Sequence, residues 1–536
     1  MKKSGFLEGA FIATLAIFFT KFLGIIYVIP FYSIVGTKGG ALYGYAYNIY
    51  NLFLIISSAG IPLAISKLTS EYNTLGKLKE KEYMFNATRK IILIFSIISF
   101  LICFLFAPLI AKLIIGNITG GNTITDISFV IRCVSFAILV VPILSISRGY
   151  LQGHGYIIPS SLSQVIEQIV RIAVILGGSY LILNVLHLDL RTAIGVAVFG
   201  ACVGAIAAYI YLINKLLKVE KPSKNKENLR KEEKTIIIKK IIAYSIPFII
   251  TNIAFSLYNS TDMILLIRGL HILNFNTTDI ETISSIFTTW GSKLNTIITS
   301  IATGLAISLV PSISSSNARG DYEDINNKFN KTIQIFLYVA LPLAIFMSIF
   351  SKQIWQIFYG ESYYGPIIFR YSILLAGIDA LYIMICNGLQ GLNKSKLIYI
   401  SVGMGLLINL ILDIPLMLLF NRLNIYPYYG AITATLIGYA ISLIIPLVTL
   451  KRKYHMNYKN TLSKIPKLFL SYVIMIIICL FLSHVISIIS RRMLLIILLA
   501  VIGLTLLILY YLINMKEINE LTNNKINKLF NRKKKD

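Results

Sequence analysis

The chain has 536 residues, of which 56% are hydrophobic and 14% charged, with a formal net charge of +27 and a mean hydropathy of +0.76. This is more apolar side chain than the core of a soluble protein can bury, so the composition excludes a soluble enzyme or binding domain. The basic residues lie in short connections beside apolar segments, with no nucleic-acid-binding module between them. We therefore expect anionic lipid headgroups, and not RNA or DNA, as their partner.

The apolar segments are long enough to cross a membrane as helices. A run of about 20 apolar residues spans the hydrocarbon, and backbone amides in lipid must be satisfied within their own segment. We predict about fourteen such spans, and hence an all-α polytopic membrane protein. In chain order the predicted spans cover residues 9–34, 42–66, 88–114, 127–148, 157–183, 192–216, 241–268, 284–311, 332–352, 366–388, 396–420, 428–450, 466–488 and 491–514.

The start of the chain resembles a signal peptide in having a basic beginning and an apolar run. The run continues through Lys21 to Pro30 without a small-residue cleavage site, so we interpret it as an uncleaved first span. The five cysteines all lie in apolar segments without a CxxC motif, and they indicate neither a disulfide framework nor a metal site.

Lysine and arginine are concentrated in alternate connections. They crowd residues 67–90, 215–240 and 451–467 and the tail after residue 515, which all lie on one face if the number of spans is even. Because basic connections stay in the cytoplasm, we predict a cell-membrane protein with both termini inside.

Two pairs of matching stretches indicate an internal repeat. The tetrapeptide Leu63–Ser66 returns as Leu305–Ser308, and the LQG at 151–153 returns at 389–391 with nearly the same offset. Two similar half-chains in a membrane are typical of alternating-access transporters, which rock one repeat against the other around a central site. The predicted organisation is an N-lobe of six spans at 1–216, a cytoplasmic linker at 217–240, a C-lobe of six spans at 241–450, two further spans at 451–514, and a basic cytoplasmic tail at 515–536.

Several ionisable residues fall inside the predicted spans. Each costs about 2.5–3.5 kcal/mol at the centre of a bilayer, so we expect each to face a cavity or a partner. Lys21 and Lys293 lie far from span ends in corresponding parts of the two halves, and we predict that they face one shared cavity. The candidate substrate-binding residues are Lys21, Lys293, Arg268, Arg171, Glu167, Asp262, Asn48 and Asn51.

Purely structural roles stay open for some of these residues. Glu167 and Arg171 are spaced i, i+4 and can pair with each other on one helix. Arg268 can extend its guanidinium to the outer membrane interface. Gly200 and Gly204 form a GxxxG motif that predicts close helix packing.

Three segments carry a family resemblance: TKFLGIIYVIPFYSIVG at 20–36, SSAGIPLAISKLTSEY at 57–72 and LVPSISSSNARGD at 309–321. They resemble the multidrug/oligosaccharidyl-lipid/polysaccharide exporter superfamily, closely its stage V sporulation protein B branch, and the similarity extends across the whole chain. The region GLAISLVPSISSSNARGDYEDIN also resembles the eighth helix of the lipid II flippase family. This resemblance implies a fourteen-helix fold related to that of multidrug exporters, a cationic central cavity and export of lipid-linked saccharides.

The resemblance also implies roles for individual positions. Lys21 and Lys293 match, or lie near, essential arginines of the first and eighth helices of lipid II flippases. Two further arginines of that family fall at Tyr27 and near Leu54, so half of its cationic set is missing here. The last two helices of the family frame a groove for the lipid tail, which accounts for the two spans outside the repeat.

The chemistry of a polyprenyl-pyrophosphate-linked sugar agrees with such a site. Basic side chains in a poorly solvated cavity can neutralise its two phosphates, while tyrosine and asparagine bind the sugars. No covalent step is required and no GxxxxGK[ST] loop occurs, so we expect no catalytic residue and no cofactor. We expect a proton or sodium gradient, or the membrane potential, to supply the energy.

Two other functions remain open. A cation or drug antiporter of the same superfamily predicts an acidic, aromatic cavity and a core of only twelve helices, whereas this chain has Lys21, Lys293 and two extra spans. A membrane glycosyltransferase predicts acidic residues in a large outer loop, whereas the longest predicted outer connection runs only from about His271 to Ile283.

Overall fold

The computed structural model describes residues 16, 19–58, 61–116, 121–219, 229–486 and 492–521. The regular elements in these ranges are helices, some of them continued by π-helical turns. The middle of the predicted linker, 220–228, and the end of the predicted tail, 522–536, lie outside the described residues. In chain order the helices are α1 (Phe19–Ile26), α2 (Val28–Ser58), α3 (Ile61–Thr74), α4 (Leu78–Leu105), α5 (Ala107–Ile115), α6 (Ile124–Gly153), α7 (Ile157–Ala173), α8 (Leu190–Val219), α9 (Lys231–Ile272), α10 (Thr277–Ser285), α11 (Gly291–Ala318), α12 (Tyr322–Ile335), α13 (Leu341–Ile349), α14 (Ser351–Tyr359), α15 (Tyr364–Gly391), α16 (Ser395–Arg422), α17 (Pro427–Lys453), α18 (Lys459–Leu462), α19 (Ile465–Ile486), α20 (Arg492–Ile513) and α21 (Met515–Leu521).

The helices have the length and composition that membrane spans require. Ten helices in the described part of the chain are long and apolar enough to cross a membrane, and a pair bent by 45°, Phe19–Ile26 with Val28–Ile56, adds an eleventh. The all-α membrane fold is therefore confirmed, while the count of fourteen spans stays a prediction. At 42 residues α9 is about 63 Å long, roughly twice the thickness of the hydrocarbon layer. We expect its charged beginning, Lys231–Glu233, to lie beyond the apolar layer, because charged side chains are costly inside it.

Residues in the left-handed backbone region stop or redirect several of these helices. Gly36, with φ of +63°, interrupts α2 and so joins the first two predicted spans without a loop. Asn274, Asn393 and Asn424 have φ between +57° and +59° in the turns after α9, α15 and α16. Because asparagine tolerates this conformation, each turn is short and the next helix begins within a few residues.

The contacts divide the chain into two compact units, residues 1–293 and 294–536. In the first unit α6 is the central helix and packs against α2, α3, α4 and α8. In the second unit α16 packs along α17, and α15 packs against α13, α14 and α17. The predicted lobes, 1–216 and 241–450, were defined by the repeated sequence and not by contacts, so this division does not test them. They stay a prediction.

One contact recurs in both units, at the glycine of each LQG motif. A Cβ at Gly153, the last residue of α6, would lie 2.5 Å from the carbonyl oxygen of Ser66 in α3. A Cβ at Gly391, the last residue of α15, would lie 3.0 Å from the carbonyl oxygen of Val310 in α11. In each unit, therefore, a glycine lets the end of one helix pack closely on the helix that carries the repeated tetrapeptide or its immediate continuation.

Candidate functional site

Two basic side chains of the first unit converge on one tyrosine. The guanidinium carbon of Arg171, in α7, lies 5.1 Å from the centre of the Tyr47 ring. The Nζ atom of Lys293, in α11, lies 5.7 Å from the centre of the same ring and 5.7 Å from that of Tyr27, at the bend between α1 and α2. Cations within about 6 Å of an aromatic centre are attracted by its electron-rich face. The two bases thus lie on one aromatic surface, although 122 positions separate residues 171 and 293 in the chain.

The aromatic surface is a set of four tyrosines that we name the tyrosine cage: Tyr27, Tyr43, Tyr47 and Tyr50. The three on α2 follow the spacing i, i+4, i+7, which places them on one helical face. The rings of Tyr43 and Tyr47 are stacked with centres 5.5 Å apart, and that of Tyr50 lies 5.6 Å from Tyr47. Tyr43 and Tyr50 are each 2% exposed, whereas Tyr47, Arg171 and Lys293 are only partly buried. The cage therefore has a buried floor and an accessible rim that carries the charges.

Glu167 does not neutralise Arg171, which corrects the i, i+4 pairing considered from the sequence. Its carboxylate is 2.8 Å from the guanidinium of Arg148, in α6, and Arg148 also donates to Ser163 Oγ at 2.7 Å. Both partners of the ion pair are largely buried. The acid that lies one turn from Arg171 is thus paired with another base, and the positive charge of Arg171 is left facing the tyrosine cage.

Close packing of α8 on α7 positions this part of the site. A Cβ at Gly204 would lie 2.6 Å from the carbonyl oxygen of Glu167, and a Cβ at Gly200 would lie 3.2 Å from that of Arg171. The close packing predicted from the GxxxG motif is therefore confirmed. Its consequence is that the backbone that carries Glu167 and Arg171 is held directly against α8.

The other predicted residues of the first unit occupy different surroundings. Lys21 is half-buried in α1, before the bend at Tyr27. Asn48 donates to the carbonyl oxygen of Gly44 at 3.1 Å and to the sulfur of Met263 at 3.7 Å. Its contact links α2 to α9 next to Asp262, which is partly buried. Asn51 is partly buried one turn further along α2.

Arg268 lies apart from the tyrosine cage. It is exposed and donates to the carbonyl oxygen of Leu113, near the end of α5, at 2.9 Å. A base that binds a terminal helix carbonyl satisfies a group that has no partner within its own helix. This contact favours the structural role that the sequence left open for Arg268.

A tightly packed contact joins α2 to the segment before α11. We name it the α2–α10 seam; it consists of Gly40 and Gly44 of α2 and Thr288, Thr289 and Trp290 of the adjoining π-helical turn. Thr289 Oγ1 donates to the carbonyl oxygen of Gly40 at 2.8 Å, and a Cβ at Gly40 would overlap the buried ring of Trp290. A Cβ at Gly44 would likewise overlap the side chain of Thr288. The seam therefore requires glycine at positions 40 and 44, because any larger residue would overlap a side chain on the other side.

A buried carboxylate continues the seam at the end predicted to lie outside the cell. Glu281, 5% exposed, accepts a hydrogen bond from the backbone N–H of Asn122, whose side chain donates to the carbonyl oxygen of Lys38 at 3.1 Å. Three segments distant in the sequence are thereby joined. Burial raises the pKa of the Glu281 carboxyl above its ordinary value.

The second unit has carboxylates inside its predicted spans. Asp413, in α16, is 0% exposed. One turn before it, Asn409 donates to Thr435 Oγ1 of α17 at 3.2 Å, so this part of the helix pair is polar. The second carboxylate, Asp379, lies in α15 and is only partly buried. The sequence places both carboxylates inside predicted spans, and for Asp413, which precedes Pro415, it favours a helix cap or a local kink.

Three residues of the candidate site were not predicted from the sequence: Arg148, Tyr27 and Tyr50. Arg148 lies near the end of α6, where it reads as one more interfacial base. The family resemblance implies an arginine at the position of Tyr27, and nothing local to Tyr50 distinguishes it from other tyrosines in predicted spans. The spacing of Tyr43, Tyr47 and Tyr50 was the available signal for the cage, but the identity of its charged partners depends on how α7 and α11 pack against α2.

Comparison with known proteins gives the family. The Polysaccharide biosynthesis protein family matches residues 6–272, and the MatE family matches residues 286–414. Lipid II flippase MurJ of Bacillus subtilis is 35% identical over 477 residues, which cover 85% of this chain and 84% of that protein. Stage V sporulation protein B of the same organism is 23% identical over 367 residues, 68% of each chain.

Solved structures agree with this result. The inward closed conformation of a lipid II flippase MurJ superposes with a TM-score of 0.66 at 18% identity, covering 94% of this chain and 99% of the other, and so shows the fold. Because a relative of more than 30% identity matches over most of both chains, and two family matches together span both halves, the chain belongs to the multidrug/oligosaccharidyl-lipid/polysaccharide exporter superfamily and, within it, to the MurJ flippase family.

Proposed function

We propose that this protein is a flippase that carries a polyprenyl-pyrophosphate-linked saccharide across the cytoplasmic membrane by alternating access. The convergence of Arg171 and Lys293 on Tyr47 is the observation that carries the proposal. The name of its relative, a lipid II flippase, supports the same class of cargo. Both termini are proposed to be cytoplasmic, where the basic linker and tail meet anionic lipids.

The charges of the site suit a diphosphate. A pyrophosphate that leaves water must exchange its hydration for charged donors, and two bases on one rim can each take a phosphate. The planar guanidinium of Arg171 can bind two oxygens at once, whereas Lys293 acts as a point charge. Lys21, on the far side of the bend at Tyr27, is proposed as the third base. Arg171 thus contributes a charge that the comparison with family motifs did not predict.

The uncharged part of the site suits a sugar. Tyr47 presents a partly exposed ring at the rim, and Asn51 lies one turn further along the same helix. Asn48 is adjacent to Tyr47 in the chain and contacts Met263 of α9, so it is proposed to border the site from that side. Aromatic faces and amide groups are the usual means of orienting a saccharide in a mostly apolar pocket. The polyprenyl tail can stay in lipid, so only the headgroup needs this path.

The same charges argue against export of organic cations. A cation-specific cavity needs an acid that is available to the substrate, but Glu167 is paired with Arg148 at 2.8 Å. Arg171 and Lys293 face the tyrosine cage. In a poorly solvated site they would repel a cationic substrate by several kcal/mol. Asp262 is proposed to adjust closure of the site.

Coupling to an ion is proposed for the second unit. A carboxylate with no exposed surface, such as Asp413, lies where a proton or a metal cation can change its charge with a large effect on the free energy. Asn409 lies one turn before it and contacts the hydroxyl of Thr435, and both side chains carry oxygens of the kind that bind metal cations. We propose that Asp413 and Asp379 sense the coupling ion.

The proposal is tested by identifying the cargo in cells. After depletion of the native protein, mass spectrometry of the lipid fraction is expected to show one polyprenyl-linked precursor accumulating. Native protein clears it, whereas Arg171→Ala and Lys293→Ala do not. Arg268→Ala is the matched control, because Arg268 binds a helix carbonyl away from the tyrosine cage. Clearance by both alanine variants as fast as by the native protein contradicts the proposed site.

A further inference from the structure

We propose that Glu281 is a proton-binding site that controls the outer end of the transport path. Its neutral carboxyl group holds three segments of the chain together, and its ionisation favours their separation. The inference rests on the alternating-access mechanism proposed above and adds to it a ligand, the proton of the outer medium. The site is separate from the tyrosine cage. It lies in the first unit, whereas the ion coupling proposed above concerns the second.

Glu281 joins three connections that are all predicted to lie outside the cell. The charge pattern places on that face the connections at 35–41, 115–126 and 269–283. The Glu281 carboxylate, in α10, accepts a hydrogen bond from the backbone N–H of Asn122, and the Asn122 side chain donates to the carbonyl oxygen of Lys38 at 3.1 Å. We name Lys38, Asn122 and Glu281 the outer junction. It borders the α2–α10 seam, because Lys38 precedes Gly40 of the seam by two residues.

The Glu281 carboxylate is closely enclosed. Glu281 is 5% exposed, and a Cβ at Gly121 would lie 2.5 Å from its Oε1 atom, so the backbone before Asn122 packs directly on the carboxylate. In the described part of the chain Glu281 forms no ion pair. Burial without an ion pair penalises the charged form of a carboxyl group. Two events remove this penalty: the carboxylate takes up a proton, or the junction separates and returns it to water.

The charged groups around Glu281 oppose each other. Lys38, of α2, favours the ionised carboxylate, whereas Asp126, of α6, disfavours it. The phenol of Tyr45, also of α2, lies near Glu281, and phenols are neutral between about pH 5 and pH 8. Burial outweighs the backbone N–H and Lys38, and it raises the pKa of Glu281 in the joined state above its ordinary value. In the separated state water solvates the carboxylate, so the joined state binds the proton more tightly.

This difference in proton affinity makes the outer junction sensitive to the outer pH. The joined state has its full advantage below the ordinary pKa of a glutamate and loses it as the pH rises through the raised pKa. An acidic outer medium therefore shifts the population towards a closed outer end. Where the outside is more acidic than the cytoplasm, the proton promotes closing after the cargo has left. The step that it favours is the return of the carrier, and not the binding of the cargo.

The test is the distance between two spin labels across the outer junction, measured by double electron–electron resonance in nanodiscs between about pH 5 and pH 8. The labels are attached to cysteines at the exposed positions Thr125 and Thr278, in the full-length protein without its five native cysteines. We expect the ratio of long to short distances to rise by roughly threefold to tenfold over this range, as one proton bound differently by two states provides. Glu281→Gln, which is neutral at every pH, is expected to keep the short distance throughout.

Asp279→Asn is the matched control, because Asp279 is a partly exposed carboxylate of the same helix that lies outside the outer junction. It is expected to show the native pH response. Glu281→Met is a second neutral variant, also expected to be insensitive to pH, and thermal unfolding verifies that each variant is folded. Distances that do not change with pH in the native protein overturn the inference. A native pH response in folded Glu281→Gln or Glu281→Met overturns it as well.

Gly40→Ala distinguishes failure of this inference from failure of the alternating-access proposal. Its added methyl group would overlap Trp290, so it is expected to increase the long distance at every pH. If Gly40→Ala has this effect while the native protein does not respond to pH, the outer end opens at the seam but Glu281 is not its proton site. If neither the substitution nor the pH changes the distances, the outer end does not open here, and both proposals fail.

Discussion

The substitution Gly40→Ala tests whether the α2–α10 seam closes the transport path on the outer side. The added methyl group would overlap the buried ring of Trp290, which cannot move freely because it also packs on Phe31 and Tyr32. Overpacking of this kind costs about 1–3 kcal/mol. If the seam separates in the outward-open state, the cost applies only to the closed state. Alanine also has a higher helix propensity than glycine. This effect is the same in the closed and the outward-open states, so it does not change their relative populations.

The population of the outward-open state is therefore expected to rise by about fivefold to a hundredfold. The assay is the rate at which an impermeant thiol reagent, added to intact cells, labels a cysteine at Asn48 in a background without the five native cysteines. Gly403→Ala is the control, since a Cβ at Gly403 meets nothing within 4 Å. An unchanged labelling rate in folded, membrane-inserted Gly40→Ala protein refutes the assignment of the seam as an outer closure.

Three further predictions concern topology, pH and coupling. In the same background, a cysteine at Asn276 is expected to react with the impermeant reagent in intact cells and one at Lys516 is not; labelling of Lys516 from outside contradicts an even number of spans. Because burial raises the pKa of Glu281 above 4.5, its ionised form is destabilising, so the melting temperature of the native protein is expected to fall relative to Glu281→Gln as the pH rises through this raised pKa. Parallel melting curves at all pH values contradict that reasoning. Asp413→Asn is expected to make flipping in proteoliposomes insensitive to an imposed ion gradient while binding of the cargo persists; a gradient response equal to that of the native protein excludes Asp413 as the coupling site.

The helical membrane fold could be predicted because it depends on local properties. Length and apolarity of each segment define the spans, and the GxxxG of α8 predicts close packing because only glycine lets two helix backbones approach so nearly. The repeated LQG motif likewise corresponds to the same kind of contact in each unit: Gly153 packs on the backbone of α3, and Gly391 packs on the backbone of α11.

The partners of charged residues could not be predicted in the same way. Helical spacing pairs Glu167 with Arg171, but the structure pairs Glu167 with Arg148, because α6 brings a second base to the same carboxylate. Which of two bases an acid binds depends on interhelical packing and desolvation, and neither is visible in local spacing. For the same reason the sequence is equally compatible with a site role and an interfacial role for Arg268, and its contact with the carbonyl oxygen of Leu113 favours the second.

Arg171 adds a positive charge that the family resemblance does not imply. The resemblance implies arginines at Tyr27 and near Leu54 in this chain, whereas Tyr27 here contacts Lys293. Arg171 comes from another helix and contacts Tyr47 in the same cage. The charge next to the tyrosine cage therefore depends on helix packing, which a comparison of motifs does not include.

Flipping of a purified polyprenyl-pyrophosphate disaccharide in proteoliposomes tests the central claim most directly. Loss of one charge-assisted contact costs about 1.5–3 kcal/mol, so Arg171→Ala and Lys293→Ala are each expected to slow flipping by roughly tenfold to a hundredfold. Arg268→Ala is expected to flip at the native rate, and Arg171→Lys to retain partial activity. Native flipping rates in both Arg171→Ala and Lys293→Ala would contradict the account, because the convergence of these two bases on Tyr47 would then have no part in transport.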